Sequence, residues 1–264
     1  MRSAKSNSTD ALSLTDVGVR FGGISALSNV SFSVPTGQLC GLIGANGAGK
    51  TTLFDVISGL RVPSSGTIRL HGQDITNWKP HRRARIGLRR TFQRVQVFGW
   101  LTVEENLLVA NEWRGGGGGV LADLVASPSR RRLENRRREQ AERVLEQCGL
   151  TDIRHRSAAG LPIGTARLVE LARALMDEPS VLLLDEPASG LDESDSQRFG
   201  DLVETVARDN NTAVLLVEHD VGFVMERCDR VVVLNLGEVL ADGTPSEIRE
   251  NPLVLEAYLG ASTT

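Results

Sequence analysis

Residues 41–59 read GLIGANGAGKTTLFDVISG, and Gly44-Ala45-Asn46-Gly47-Ala48-Gly49-Lys50-Thr51 within them has the form GxxxxGK[ST]. Glycines at this spacing let successive backbone N–H groups turn inward around phosphate oxygens, and a helix starting at once behind them adds the positive end of its dipole. Lys50 is set to reach the β and γ phosphates of a nucleotide, and Thr51 to hold Mg2+. The surroundings agree. Residues 38–43 form a compact apolar strand, and the helix expected from Lys50 to Ser58 can end at Gly59, which tolerates the left-handed cap conformation. The unit is strand, phosphate loop, helix.

Residues 181–187, VLLLDEP, supply what the loop lacks. Four apolar residues bury a strand, and Asp185 at its carboxyl end stands where ligands collect in a parallel α/β sheet, suited to the water shell of Mg2+. A carboxylate at Glu186 can orient or deprotonate an attacking water. His219 follows another apolar strand, Ala213–Val217, so its imidazole belongs at the same edge, able to hydrogen-bond a γ-phosphate or hold that water. Gln93, in Arg90-Thr91-Phe92-Gln93, carries an amide able to reach both Mg2+ and water.

The rest of the chain builds around these motifs. Apolar alternation at Val17, Val19, Phe21 and at Val30, Phe32, Val34, with Ile68 and Leu70 between glycines, predicts an antiparallel layer on the N-terminal side. From about residue 94 to 160 the pattern is helical, interrupted by a glycine run at 115–119. Its arginine-rich stretch spaces Leu133, Ala141, Val144, Leu145 and Cys148 on one helical face and mixes glutamates among the arginines, which argues for a solvated helix and against binding to nucleic acid. After Gly160, helix and strand alternate as in a parallel sheet covered on both faces. A hairpin around Leu236-Gly237 and a helical end from Ser246 to Leu259, broken at Pro252, close the chain.

Composition limits the function classes. With 264 residues, 41% hydrophobic content and a formal net charge of −3, the chain is an ordinary globular protein with no electrostatic pull toward nucleic acid. Residues 1–10 are polar and read as a disordered tail, with residues 11–264 as the folded part. No apolar run approaches the roughly 20 residues needed to span a bilayer, so a membrane role requires a partner. Cys40, Cys148 and Cys228 have no metal-ligand spacing and read as buried, inert thiols.

Together these motifs resemble the nucleotide-binding subunits of ATP-binding cassette (ABC) transporters over essentially the whole chain after the tail. The resemblance implies an α/β P-loop NTPase core with an N-terminal antiparallel β subdomain and an inserted helical subdomain. It implies that Phe21 stacks on adenine, that the loop from Gly44 through Asn46, Gly47, Ala48, Gly49, Lys50, Thr51 and Thr52 holds the phosphates of ATP, and that Gln93 is the Q-loop glutamine. Asp185 and Glu186 become the Mg2+-binding and catalytic acids, Asp192 in Ser189-Gly190-Leu191-Asp192 part of the D-loop, and His219 the switch histidine. RFGGISAL, RTFQRVQVF and NPLVLEAYLG further resemble the ATP-binding subunits of branched-chain amino-acid importers.

That family pairs two nucleotide-binding subunits, identical or different, around two ATP molecules and holds them at the cytoplasmic face of the membrane through permease subunits, with the permease and an extracytoplasmic solute-binding protein selecting the solute. The permease would dock by Val95, Val97, Phe98 and Trp100. Leu161-Pro162-Ile163-Gly164-Thr165 then occupies the signature position, usually LSGGQ, where Ile163, Gly164 and Thr165 would meet the partner's ATP. Pro162 has neither hydroxyl nor N–H, so backbone amides must do the sensing. The helix after it is expected to start near Thr165 and to turn Arg167, Glu170 and Arg173 outward. A GTPase is excluded by the missing NKxD sequence; an export ATPase or a non-transport cassette protein is the competing reading.

Overall fold

The computed structural model describes residues 10–110 and 128–259. The expected tail and the glycine run lie outside the described residues, except that Asp10 already opens the first strand. Two compact units result: residues 10–93, 179–189 and 203–259 form one, residues 94–110, 128–178 and 190–202 the other.

In the first unit, β1 (Asp10–Phe21) and β2 (Ile24–Pro35) form a hairpin, and β4 (Ser65–Leu70) with β5 (Gln73–Asp74) completes an antiparallel sheet of order β2-β1-β4-β5. The second sheet has the order β10-β9-β3-β8-β7-β6. Its parallel strands are β3 (Leu39–Ile43), β6 (Leu88–Arg90), β7 (Val181–Asp185), β8 (Ala213–Val217) and β9 (Arg230–Asn235), and β10 (Glu238–Gly243) returns antiparallel from the expected hairpin. Alternation decides the packing. Cys40, Leu42, Val181, Leu183, Leu215 and Val232 join Leu53, Phe54 and Ile57 of helix α1 (Lys50–Ser58) and the inner face of the antiparallel sheet in one core.

The end of α1 is held by an arginine. Arg83, on the short helix α2 (Pro80–Arg85), is fully buried and donates to the carbonyls of Val56 and Ile57 at 2.7 Å each, Thr76 at 2.8 Å and Trp78 at 3.0 Å. A cation there satisfies carbonyls left open at the helix terminus and opposes its negative dipole end. Burial pushes the guanidinium down to about 10.

The second unit holds α3 (Val103–Ala110), α4 (Pro128–Gln147), α5 (Ile163–Leu175) and the start of α6 (Glu193–Asp209). On α4 the expected apolar face is buried at Ala141, Val144 and Leu145, continued by the buried Cys148 just past its end, and Arg154 links Glu142 of α4 to Glu104 of α3 at 2.6 and 2.8 Å. The outward placement of Arg167, Glu170 and Arg173 is wrong. Arg167 and Glu170 are buried, 3.3 Å apart one helical turn from each other, so each offsets the charge the other brings inside. Arg173 is half-buried, its guanidinium 4.6 Å from the centre of the Phe98 ring.

Helices α7 (Val221–Arg227), α8 (Pro245–Glu250) and α9 (Pro252–Leu259) finish the first unit, the last two divided at Asn251-Pro252 as expected. Among the described residues no helix is long and apolar enough to cross a membrane. All three cysteines are buried and free, and burial pushes the thiols of Cys40 and Cys148 up to about 12.

Candidate nucleotide site

The loop between β3 and α1 is shaped by what surrounds it. A Cβ on Gly44 would stand 2.2 Å from the Leu234 carbonyl oxygen, and Gly49, at φ 106°, lies where a Cβ would meet the Ala26 carbonyl at 2.8 Å. Glycine is therefore required at both ends of the loop, while Asn46 and Gly47 between them are exposed and Ala48 is buried beneath. Helix α1 starts without a side-chain cap, which leaves the first-turn N–H groups for an anion. Thr51 is exposed and Thr52 half-buried in that first turn.

Lys50 is buried and its ammonium folds back on the loop, donating to the carbonyls of Gly44 at 2.6 Å and Ala45 at 3.1 Å. Burial lowers its pKa, and the nearby carboxylates Glu186 and Asp185 oppose that shift. An anionic phosphate would oppose it further.

At the ends of β7 and β8 three of the expected residues meet on one carboxylate. Glu186 Oε2 accepts from Gln93 Nε2 at 2.7 Å, and Glu186 Oε1 lies 2.8 Å from His219 Nε2, where the ring N–H donates. Glu186 itself adopts φ 48°, unusual for a residue with a side chain, and its backbone N–H is tied to the Val217 carbonyl at 2.9 Å. The turn that ends β7 is thus pinned to β8, which holds the carboxylate beside His219. Asp185 is buried and bound to Arg90 at 2.8 Å.

Phe21, at the tip of the β1–β2 hairpin, is exposed, and one face of its ring is covered by the guanidinium of Arg61 at 4.3 Å. Ile163, Gly164, Thr165 and Asp192 belong to the other unit. There α5 starts at Ile163, two residues ahead of the position expected, with Pro162 as cap residue and no side-chain cap. Ile163 is exposed, and Asp192 caps α6 by accepting from the Asp195 N–H at 2.8 Å. Of the residues expected to receive a permease, Val95, Val97 and Phe98 are half-buried and Trp100 is exposed.

Two residues escaped sequence reasoning. Arg90 binds both Asp185 and Asp55, and Glu218 accepts from the Ala188 N–H at 2.6 Å next to the Glu186 turn. For Glu218 the signal is a charged residue directly after an apolar strand; for Arg90, in the Leu-Arg-Arg of β6, the sequence offers none.

For a divalent cation the donors at hand are the Thr51 hydroxyl, the Gln93 amide oxygen and the Asp185 carboxylate. All are hard oxygens, the chemistry Mg2+ takes when phosphate and water complete its shell. Among the described residues there is no cluster of three or more His, Cys, Asp or Glu that could hold a metal.

A parallel sheet with a phosphate loop, an antiparallel layer and a second helical unit defines a P-loop ATPase of the cassette type. The chain matches the ABC transporter family over residues 27–189 and the branched-chain amino acid ATP-binding cassette transporter family over residues 238–263. It is 43% identical over 249 residues to the high-affinity branched-chain amino acid transport ATP-binding protein BraF of Pseudomonas aeruginosa, covering 94% of this chain and 97% of that one. The corresponding protein LivG of Escherichia coli is 41% identical over the same coverage. Among solved structures, a nucleotide-free ATP-binding cassette from an ABC transporter superposes with a TM-score of 0.80 at 31% identity, covering 94% and 98% of the two chains. The ADP conformation of MJ1267, an ATP-binding cassette of an ABC transporter, gives 0.81 at 30%, covering 95% and 99%. The chain belongs to the ATP-binding cassette proteins of ABC transporters, and within them to the branched-chain amino acid transport ATP-binding proteins.

Proposed function

We propose that this chain hydrolyses ATP to drive an importer of branched-chain amino acids or a closely related small polar solute. The observation that carries the mechanism is the carboxylate of Glu186 gripped on both oxygens, by Gln93 at 2.7 Å and His219 at 2.8 Å. A carboxylate so oriented is suited to align a water against the γ-phosphorus and take its proton. Lys50 and the loop amides from Gly44 to Thr52 would bind the phosphates, moving the ammonium from its own loop carbonyls to the nucleotide. Phe21 would stack on adenine by its open face. Thr51, Gln93 and Asp185 would hold Mg2+, whose charge when bound offsets that of the phosphates.

Ile163, Gly164, Thr165 and Asp192 would act on the nucleotide of a second cassette subunit, so that ATP closes a dimer and hydrolysis reopens it. Permease subunits would hold the dimer at the cytoplasmic face of the membrane and pass the closure on, and an extracytoplasmic solute-binding protein would deliver the solute. The 94% coverage and 43% identity to a branched-chain amino acid transport ATP-binding protein favour this solute class and the import direction.

Glu186→Gln tests the mechanism. It keeps the side chain's size while removing the base and one of its two acceptor oxygens, so ATP should bind normally, turnover should fall by about 10²- to 10⁴-fold, and an ATP-loaded dimer should accumulate in sedimentation runs. A monomer turning over at the wild-type rate would sink the mechanism. For the solute, permease and binding protein co-purified with the chain should bind leucine, isoleucine or valine by calorimetry.

A further inference from the structure

Strand β6 lies at the edge of the six-stranded sheet, and its register with β7 sets Arg90 opposite Leu183. Side chains two positions apart share a sheet face, so Arg90 looks to the same side as Asp185, two residues beyond Leu183. It also looks toward α1. The guanidinium donates to Asp185 Oδ2 at 2.8 Å, to Asp55 Oδ1 at 2.7 Å and to Ser58 Oγ at 3.2 Å, and it stands 5.5 Å from the ring of Phe54 and 5.4 Å from that of Phe92. The side chains of Arg90 and Asp185 are 8% and 11% exposed, so that pair lies largely out of water, while Asp55 is more open at 30%.

Asp55 stands one helical turn beyond Thr51, on the same face of α1. One guanidinium therefore ties the helix face that presents Thr51 to the strand end that presents Asp185. Backbone pairing does not need it, since the Thr91 N–H already reaches the Leu183 carbonyl at 2.9 Å. We propose that Arg90 is a positioning residue for the nucleotide-bound Mg2+. It sets Thr51 against Asp185, and by occupying Oδ2 it leaves Oδ1 of Asp185 for the ion or its water. A planar fork with two outward N–H groups spans two carboxylates; an ammonium reaches one. The inference rests on the nucleotide site given under Proposed function.

The test is ADP binding to the purified chain in EDTA and across a Mg2+ series, with Mn2+ binding read by electron paramagnetic resonance. Arg90→Met should bind ADP in EDTA like wild type but require roughly tenfold more Mg2+ or Mn2+ for the tight complex, the scale of losses on removing a partner that orients a metal ligand. Arg90→Lys should fall between the two. Asp55→Asn frees the far end of the fork without touching Asp185, and should raise the Mg2+ requirement in the same direction by a few-fold. If Arg90→Met does not fold, Asp55→Asn decides. Unchanged Mg2+ and Mn2+ dependence in the folded variants overturns the inference while leaving the nucleotide site standing, provided Lys50→Ala impairs binding. Undiminished ADP binding by Lys50→Ala overturns the site, and this inference with it.

Discussion

Helices α1 and α5 both begin without a side-chain cap, yet their first turns are built for different work. The start of α1 follows Gly49 and carries Lys50, with Glu186 and Asp185 close enough to shift that lysine's titration, so an anion would find amides, a cation and an acid pair together. The start of α5 follows Pro162, which can donate nothing, and its exposed first residue is Ile163. The nearest charge there is opposite in kind. The carboxylate of Asp195 lies against Gly164, so close that a Cβ on Gly164 would stand 2.0 Å from Oδ2. The first helix start is thus the one suited to phosphate in the function proposed above, while the second offers backbone amides beside a carboxylate that disfavours an anion. Such an arrangement suits a loop that responds to ATP already bound elsewhere.

The largest effect expected from this contrast is at Lys50. Lys50→Ala removes charge-assisted hydrogen bonds to phosphate of about 1.5–3 kcal/mol, so ATP affinity should drop roughly 10- to 100-fold, read by calorimetry with the melting temperature as the control for folding. No change in affinity would erase the difference between the two helix starts. At the second start, Gly164→Ala makes the Asp195 carboxyl, the far end of a half-buried side chain, swing away, so the loss in urea unfolding should be at most about 1 kcal/mol, the low end for added bulk. Adding Asp195→Ala should restore much of that loss. Additive effects would show that the close approach is not what requires glycine. Smaller still is Pro162→Ser. A serine cap adds about 1 kcal/mol and the lost proline restraint costs about 0.4–1 kcal/mol, so stability should hardly move. ATP-driven association of the Glu186→Gln chain should nonetheless tighten, because the loop regains a hydroxyl; unchanged sedimentation would mean the amides already suffice.

Much of the fold was legible because its signals are local. Runs such as 181–184 and 213–217 are too apolar to be anything but buried strands, and Asp185, Glu186 and His219 stand directly at their ends. The glycine spacing of 44–49 needed no tertiary information either. What escaped depends on tertiary partners, or on elements too short or too charged to show a pattern. Arg90 meets Asp185 across 95 positions, and nothing near it in sequence says that a guanidinium will be buried there. Arg167 and Glu170 read as surface residues because each alone would be costly inside; the ion pair between them offsets part of that cost. Helix α2 and strand β6 are too short to show a period, and arginines fill much of both. The start of α5 was misjudged by two residues because Pro162 supplies a carbonyl to the first helical bond, from the Ala166 N–H at 2.9 Å, without needing an N–H of its own.

Glu218 extends the comparison to buried charge. It lies beside the Glu186 turn, almost fully buried, whereas Asp195, the acid beside the second helix start, is half-buried. Burial raises the Glu218 carboxyl above its ordinary value of 4.5; the N–H groups of Ala188 at 2.6 Å and His219 at 3.3 Å pull it down, and the charge of Glu186 adds to the rise. The folded state therefore holds this proton more tightly than the unfolded chain does. Its stabilising effect is fully present below the ordinary carboxylate range and is lost as pH rises through the folded value. Glu218→Gln keeps an oxygen for the Ala188 N–H and never ionises. Its stability relative to wild type should improve as pH is raised from about 4 to about 8, measured by urea unfolding at several pH values. A trend in the opposite direction would mean that the two backbone N–H groups outweigh burial and hold Glu218 ionised. In that case the strand-end cluster would carry one more fixed negative charge, and Lys50 would be more strongly drawn to it.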